Sequence, residues 1–220
     1  MAFTRRLILC EGMIALAAVT LLLAYVLGSV PVGYLVGRLH GTDVRDHGSG
    51  NIGTTNILRL FGAKWAVIVL LLDAGKGYLA CALAGWMGVA PEYVALAGVA
   101  VIAGHNWSVF LGFAGGKGAA TTAGVFSYLT PVALGIGLSV SILFWLVTRY
   151  MSLGVILGVF VGTLWANLFS TYPTPYNLAT LVALIWILIR HRENIRRLLR
   201  GEERRLGQRE EYREGDGDGR

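Results

Sequence analysis

Three polar islands hold the side chains of this chain that can do chemistry. The first runs Gly48-Ser49-Gly50-Asn51-Ile52-Gly53-Thr54-Thr55-Asn56, with Arg59 just beyond. The second joins Gly104-His105-Asn106 to Gly115-Gly116-Lys117-Gly118, and the third is Arg190-His191-Arg192-Glu193-Asn194. Clustered glycines expose backbone N–H groups, and with nearby cations these can converge on an anion. Arg59 can grip a phosphate through two parallel hydrogen bonds, and Ser49, Thr55, Asn51 and Asn56 add polar groups around it. The island is no Walker loop, because no Gly-Lys-Ser/Thr follows. Gly115–Gly118 leads into an apolar segment, so Lys117 should stand beside a helix N-terminus and its fixed partial positive charge. His191 and Asn194 are three apart and share a helical face. The imidazole can act as a base or donate to a phosphate oxygen. Donation is favoured, because the surrounding arginines oppose a second positive charge. Glu193 should pair with those arginines and hold the helix end.

Each residue also has a plainer reading. Arg59 can snorkel, His105 can be a buried histidine satisfied by a carbonyl, and the arginines from Arg190 to Arg200 can be interfacial anchors. Asp73 and Lys76, three apart inside an apolar run, read as a mutual ion pair with a structural role. The sequence holds no Gly-x-Ser-x-Gly elbow, no His-x-x-x-x-Asp pair and no His/Cys cluster with metal spacing, so no metal or cofactor is expected.

These islands lie between runs of membrane-grade hydrophobicity. Of 220 residues 55% are hydrophobic and 15% charged, with mean hydropathy +0.61, which argues for an all-α, polytopic integral membrane protein. Spans are expected near 14–37, 65–88, 93–112, 119–130, 131–149, 153–171 and 176–190, about seven helices, with a break before Pro131. Lys and Arg fall in alternate loops: Arg38, Arg45, Arg59 and Lys64, then Lys117, then Arg149, then the C-terminus. All three islands thus lie on the cytoplasmic side, with the N-terminus outside and the C-terminus cytoplasmic. Arg5 and Arg6 oppose that rule, so residues 1–12 are expected to be an extension from a mis-chosen start, with Met13 the better beginning. Residues 13–202 form one membrane domain, and the charged, glycine-spaced stretch 203–220 reads as a disordered tail. Cys10 and Cys81 fit no disulfide framework. A net charge of +6 concentrated at one membrane face calls for no nucleic acid.

Taken together, the motifs resemble the PlsY family, bacterial membrane acyltransferases that use acyl phosphate and glycerol-3-phosphate. The resemblance spans about Met13 to Glu202. It rests on Gly28-Ser29-Val30-Pro31-Val32-Gly33, Gly48 through Arg59, Asp73-x-x-Lys76-Gly77, Gly104-His105 through Gly118, Thr148-Arg149-Tyr150-Met151-Ser152 and Arg190 through Ile195. It implies transfer of a fatty acyl group to the 1-hydroxyl of glycerol-3-phosphate, giving lysophosphatidic acid and phosphate. It also implies a site facing the cytoplasm of the bacterial inner membrane, and the soluble enzyme that makes acyl phosphate as a candidate partner. The catalytic candidates are His191, Asn194, Ser49 and Arg59. The phosphate-binding candidates are Gly48, Ser49, Gly50, Asn51, Thr55, Asn56, Arg59, His105, Gly115, Gly116, Lys117, Gly118 and Ser152.

An acyl phosphate is already activated, so no covalent enzyme nucleophile is needed. The protein must hold two phosphates against their repulsion and aim a hydroxyl at a carbonyl. The hydroxyl proton can go to His191 or to the substrate phosphate. The rival from another class, a transporter of a phosphorylated solute, would want a similar pocket. Against it, basic residues lie on one side only and no ionisable path crosses the chain.

Overall fold

In the computed structural model, residues 2–206 are described, with side chains from Ile14 onward. The expected extension 1–12 and the tail beyond Leu206 fall outside those side chains. Among the described residues all regular structure is helical: α1 (Ala2–Ser29), α2 (Val32–Leu39), α3 (Thr54–Phe61), α4 (Ala63–Trp86), α5 (Pro91–Asn106), α6 (Ala119–Leu129), α7 (Pro131–Thr148), α8 (Met151–Leu168), α9 (Thr174–Arg190) and α10 (Arg192–Leu199), plus a single 3-10 turn at Val109–Leu111.

Among the described residues five segments are long and apolar enough to cross a membrane: Ile14–Leu39, Ala63–Trp86, Pro91–Leu111, Pro131–Thr148 and Met151–Leu168. Helix α9 is a shorter apolar helix. Helix α6, with 11 residues, covers about 16 Å against a hydrocarbon core of about 30 Å. Large apolar side chains face outward, among them Leu71, Trp86, Leu146 and Leu168. Only a lipid solvent makes that surface tolerable. The break between α6 and α7 falls at Thr130–Pro131, as proline at the first position of a new helix dictates. The first span, read from the sequence as one helix, is instead broken at Val30–Pro31, where Pro31 has no N–H to continue the α1 ladder.

With lipid outside, helices gain little from apolar burial against one another and rely on close backbone approach. A Cβ on Gly77 of α4 would overlap the Thr121 carbonyl of α6, and one on Gly124 of α6 would overlap the Ala74 carbonyl of α4. This contact seats α6, and the Lys117 loop that leads into it, directly against the α4 segment bearing Asp73. Gly137 of α7 and Gly158 of α8 interlock in the same way. A second cluster, Val36, Val44, Ile52, Ile57, Ala66 and Val69, pins the loop between α2 and α3 beneath α3.

Candidate active site

The three islands meet at one end of the bundle around a cavity of about 280 Å³. Its mouth is lined by Ser49, Asn51, Thr55, Arg59, Lys117, His191 and Asn194. Its other arm runs among apolar residues of α6, α7 and α8, such as Ala123, Phe126, Leu134, Leu138, Val155 and Val159.

The first island is wound around Asn56, which is 1% exposed. Its amide donates to the carbonyls of Val44 at 3.1 Å and His47 at 3.2 Å, and its Oδ1 accepts from the Ser49 N–H at 2.8 Å. Asn51 Oδ1 takes the Gly53 N–H at 3.0 Å, closing the turn into α3. Thr55 and Arg59 then fall one helical turn apart on the face that meets the cavity. Asn56 lines the cavity, but its polar atoms are committed to the loop, so its part is to build the site. Gly48 and Gly50 do not line the cavity among the described residues; each supplies positive φ, 61° and 67°, for the loop's turns.

In the second island the Gly116 amide, a phosphate candidate, is committed to another partner. The Gly116 N–H donates to the His105 carbonyl at 3.0 Å, and the carbonyls of Gly115 and Gly116 both accept from Arg190. Neither glycine is among the cavity-lining residues. Lys117 and Gly118 do line it; Gly118, at φ 78°, lies against the Asn106 side chain where a Cβ would not fit. The Lys117 ammonium donates to Asn194 Oδ1 in a short hydrogen bond. Burial, then the neighbouring Arg197, with Arg190 and Arg59 adding to it, pushes Lys117 down to about 8, partly offset by Glu203. Its Nζ is therefore a point charge at neutral pH that is lost as pH rises through about 8.

His105 is 4% exposed, and its Nδ1 lies 3.5 Å from Asp73 Oδ1. Lys76 pairs with the same oxygen at 2.8 Å and donates to the Val30 carbonyl at 3.0 Å. The intrahelical ion pair read from the sequence is present, and His105 joins it. Removing charge from one member would leave the others buried without compensation. Asp73 and His105 line the base of the cavity; Lys76 does not.

The third island turns at His191, between α9 and α10. Both His191 and Asn194 are buried against the cavity. The His191 Nδ1 lies 2.9 Å from the Ile187 carbonyl, which can only accept. The neutral ring therefore carries its proton on Nδ1 and keeps a lone pair on Nε2. Burial, then the Lys117 charge, holds the imidazole down to about 4. With Nδ1 committed to the Ile187 carbonyl, the neutral ring offers Nε2 as an acceptor, and the donor role favoured from the sequence would need the imidazolium. Glu193 pairs with Arg196 at 2.9 Å and Arg192 at 3.7 Å on the exposed side, as expected of a helix-end brace.

One residue was missed. Glu203, read as the head of a disordered tail, has a side chain only 5% exposed. Its Oε1 accepts from Asn194 at 2.7 Å and Ser152 at 2.8 Å, and its Oε2 from Arg197 at 2.9 Å. The tail expectation is thus corrected for residues 203–206, which return to the bundle and close on it through Leu206 N–H to the Arg149 carbonyl at 2.8 Å. The signal was Gly201, a left-handed residue with φ 71° just past α10. Such a glycine ends a helix and turns the chain back. Ser152, a phosphate candidate, faces the cavity with its hydroxyl turned to this carboxylate.

Residues 18–201 match the family model described as glycerol-3-phosphate acyltransferase. The chain belongs to that family. A glycerol-3-phosphate acyltransferase of Rubrobacter xylanophilus is 47% identical over 87% of this chain and 96% of its own length. Glycerol-3-phosphate acyltransferase 2 of Moorella thermoacetica is 45% identical over 86% of this chain and 97% of its own. The crystal structure of PlsY (YgiH), an integral membrane glycerol 3-phosphate acyltransferase, in its glycerol 3-phosphate form superposes with a TM-score of 0.83 at 37% identity, over 87% of this chain and 96% of that one. Its lysophosphatidic acid form gives 0.80 at 36% identity. The all-helical fold, the five apolar spans and the match to an integral membrane enzyme make this a multi-pass membrane protein.

Proposed function

We propose that the chain transfers a fatty acyl group from acyl phosphate to the 1-hydroxyl of sn-glycerol-3-phosphate, releasing lysophosphatidic acid and inorganic phosphate. The observation that carries this reading is one continuous cavity that joins a cationic mouth, with Arg59, Lys117 and Arg197, to an apolar arm between α6, α7 and α8. Two phosphates and one fatty chain need that combination, while a phosphorylated solute alone does not need the arm. The solved forms of the relative, with glycerol 3-phosphate and with lysophosphatidic acid, are consistent with an acceptor and a product of this kind.

In the proposed step the acceptor hydroxyl oxygen attacks the acyl carbonyl carbon, the new ester C–O bond forms, and the bond from that carbon to the phosphate oxygen breaks. Arg59 and Lys117 hold the phosphates and offset their repulsion. His191 Nε2 accepts the hydrogen bond of the hydroxyl and aims it. An imidazolium held near 4 is a poor final home for the proton. The departing phosphate, whose anionic oxygen lies beside the hydroxyl, is the better one. Asn194 and Glu203 orient the Lys117 ammonium, with Ser152 and Arg197 fixing Glu203. Among the described residues no group of three His, Cys, Asp or Glu side chains is placed to hold a metal ion.

The proposed topology places α1–α2, α4, α5, α6, α7, α8 and α9 as seven membrane segments, with α6 short. The N-terminus lies outside and the site faces the cytoplasm of the inner membrane, where acyl phosphate made by a soluble enzyme would reach it. Support comes from Arg59, Lys117, Arg149, Arg190 and Arg197 gathering at one end of the bundle. The test is direct. Purified protein given acyl phosphate and glycerol-3-phosphate should form lysophosphatidic acid and phosphate in equal amounts. Folded protein that forms neither would refute the reading.

A further inference from the structure

Arg190 reads from the sequence as one of several interfacial anchors, yet its guanidinium turns inward from the last residue of α9. Nη2 donates to the Gly115 carbonyl at 2.7 Å and Nε to the Gly116 carbonyl at 2.9 Å. One planar fork therefore binds two successive peptide units of the loop that presents Lys117. In a trans peptide, C=O and N–H lie on opposite edges of the plane. With the Gly115 carbonyl on Arg190, the Gly116 N–H must point away from it, and it is found on the His105 carbonyl at 3.0 Å. By the same geometry the Gly116 carbonyl turns the Lys117 N–H away from Arg190. The His105 ring closes on Gly116 from the other side, leaving no room for a Cβ. The loop is held between α5 and α9 like a strip between two plates.

We infer that Arg190 is a positioning residue for acyl transfer: it locks the Gly115–Gly118 loop to the end of α9, so that Lys117 and His191, which are 74 residues apart in the chain, keep a fixed relation. The inference rests on the reading of this cavity as the acyl-transfer site. Lysine cannot replace the fork, because a single ammonium has no rigid pair of donors to match two carbonyls. Displacement of a phosphate-binding group by about 1 Å can cost on the order of 100-fold in rate.

Arg190→Lys and Arg190→Gln, made in the full chain, separate geometry from charge. Lys117 is faced by Arg59 from α3, Arg190 from α9, Arg197 from α10 and Glu203 from the returning segment, with His191 neutral beside it. Arg190→Lys keeps the charge and loses the fork. Its kcat should fall at least about tenfold, while the alkaline limb of its pH profile stays where the wild type has it. Arg190→Gln removes a positive neighbour of Lys117, so its limb should move to higher pH as its kcat falls. A role confined to holding α9 together would lower the yield of folded protein and leave the kcat of the folded enzyme unchanged. Wild-type kcat in Arg190→Lys overturns the inference. Binding of inorganic phosphate by calorimetry gives a readout free of turnover. Weaker binding in Arg190→Lys supports the clamp, and binding equal to wild type overturns it. Absence of lysophosphatidic acid from the wild type would refute the proposed reaction alone, leaving the calorimetric comparison to decide on Arg190.

Discussion

Lys117 is the residue on which charge, geometry and pH can be tested together. Its ammonium is held by Asn194 Oδ1, which is itself oriented by Glu203, and burial with the flanking Arg197 brings its ionisation down to about 8. Lys117→Ala removes one charge-assisted contact to a phosphate, a loss of about 1.5–3 kcal/mol, or about 10- to 150-fold in kcat/KM. The pH dependence follows from the sign. The cation is the form that binds phosphate, and it is lost as pH rises through 8, so kcat/KM should decline on the alkaline side. By pH 9 about one-tenth of the enzyme would still carry the charge. The limb in kcat should lie higher than that in kcat/KM, because a bound phosphate stabilises the ammonium. Lys117→Arg should erase the limb, since a guanidinium does not titrate there, and should be slow because its fork does not match Asn194 Oδ1. The assay is phosphate release with both substrates varied between pH 6 and about 9.5, with acyl-phosphate hydrolysis subtracted. Near-normal kcat/KM in Lys117→Ala, or an alkaline limb unchanged in Lys117→Arg, would refute the reasoning.

Three further outcomes are expected. Arg59→Ala should lose about 1.5–3 kcal/mol of substrate binding and Arg59→Lys should remain poor, since one ammonium cannot reproduce a bidentate grip; steady-state kinetics on both variants checks this. His191→Gln, whose amide oxygen can still accept, should retain more activity than His191→Ala, and the wild-type rate should fall on the acid side only as pH drops toward about 4, where His191 takes up a proton. Equal losses of about 10²–10⁴-fold in both variants would make His191 a true general base. Asn56→Ala leaves the Val44 and His47 carbonyls and the Ser49 N–H without their partner, a local cost of about 1–3 kcal/mol; protease cleavage near residues 44–50 should rise and activity fall while the helical circular dichroism is retained.

Composition and run length already determine that this chain lives in a membrane, because lipid demands long apolar helices and leaves polar residues only where something needs them. The break at Thr130–Pro131 was legible for the same local reason: proline cannot continue a helix but can begin one. So were the islands, the Asp73–Lys76 pair and the helical face shared by His191 and Asn194, each set by short spacing along one helix or loop. The partners across the fold were not legible. Asn56 and Arg59 look alike as polar members of one island, yet Asn56 is spent on the carbonyls of its own loop while Arg59 meets the cavity. Gly116 and Lys117 are neighbours, yet one gives its N–H to His105 and its carbonyl to Arg190 while the other faces the site. Glu203 looked like tail and became the carboxylate that Ser152, Asn194 and Arg197 share. A sequence lists donors and acceptors. Burial forces each of them to find a partner, and only the packing of α5, α8, α9 and α10 decides which one is within reach.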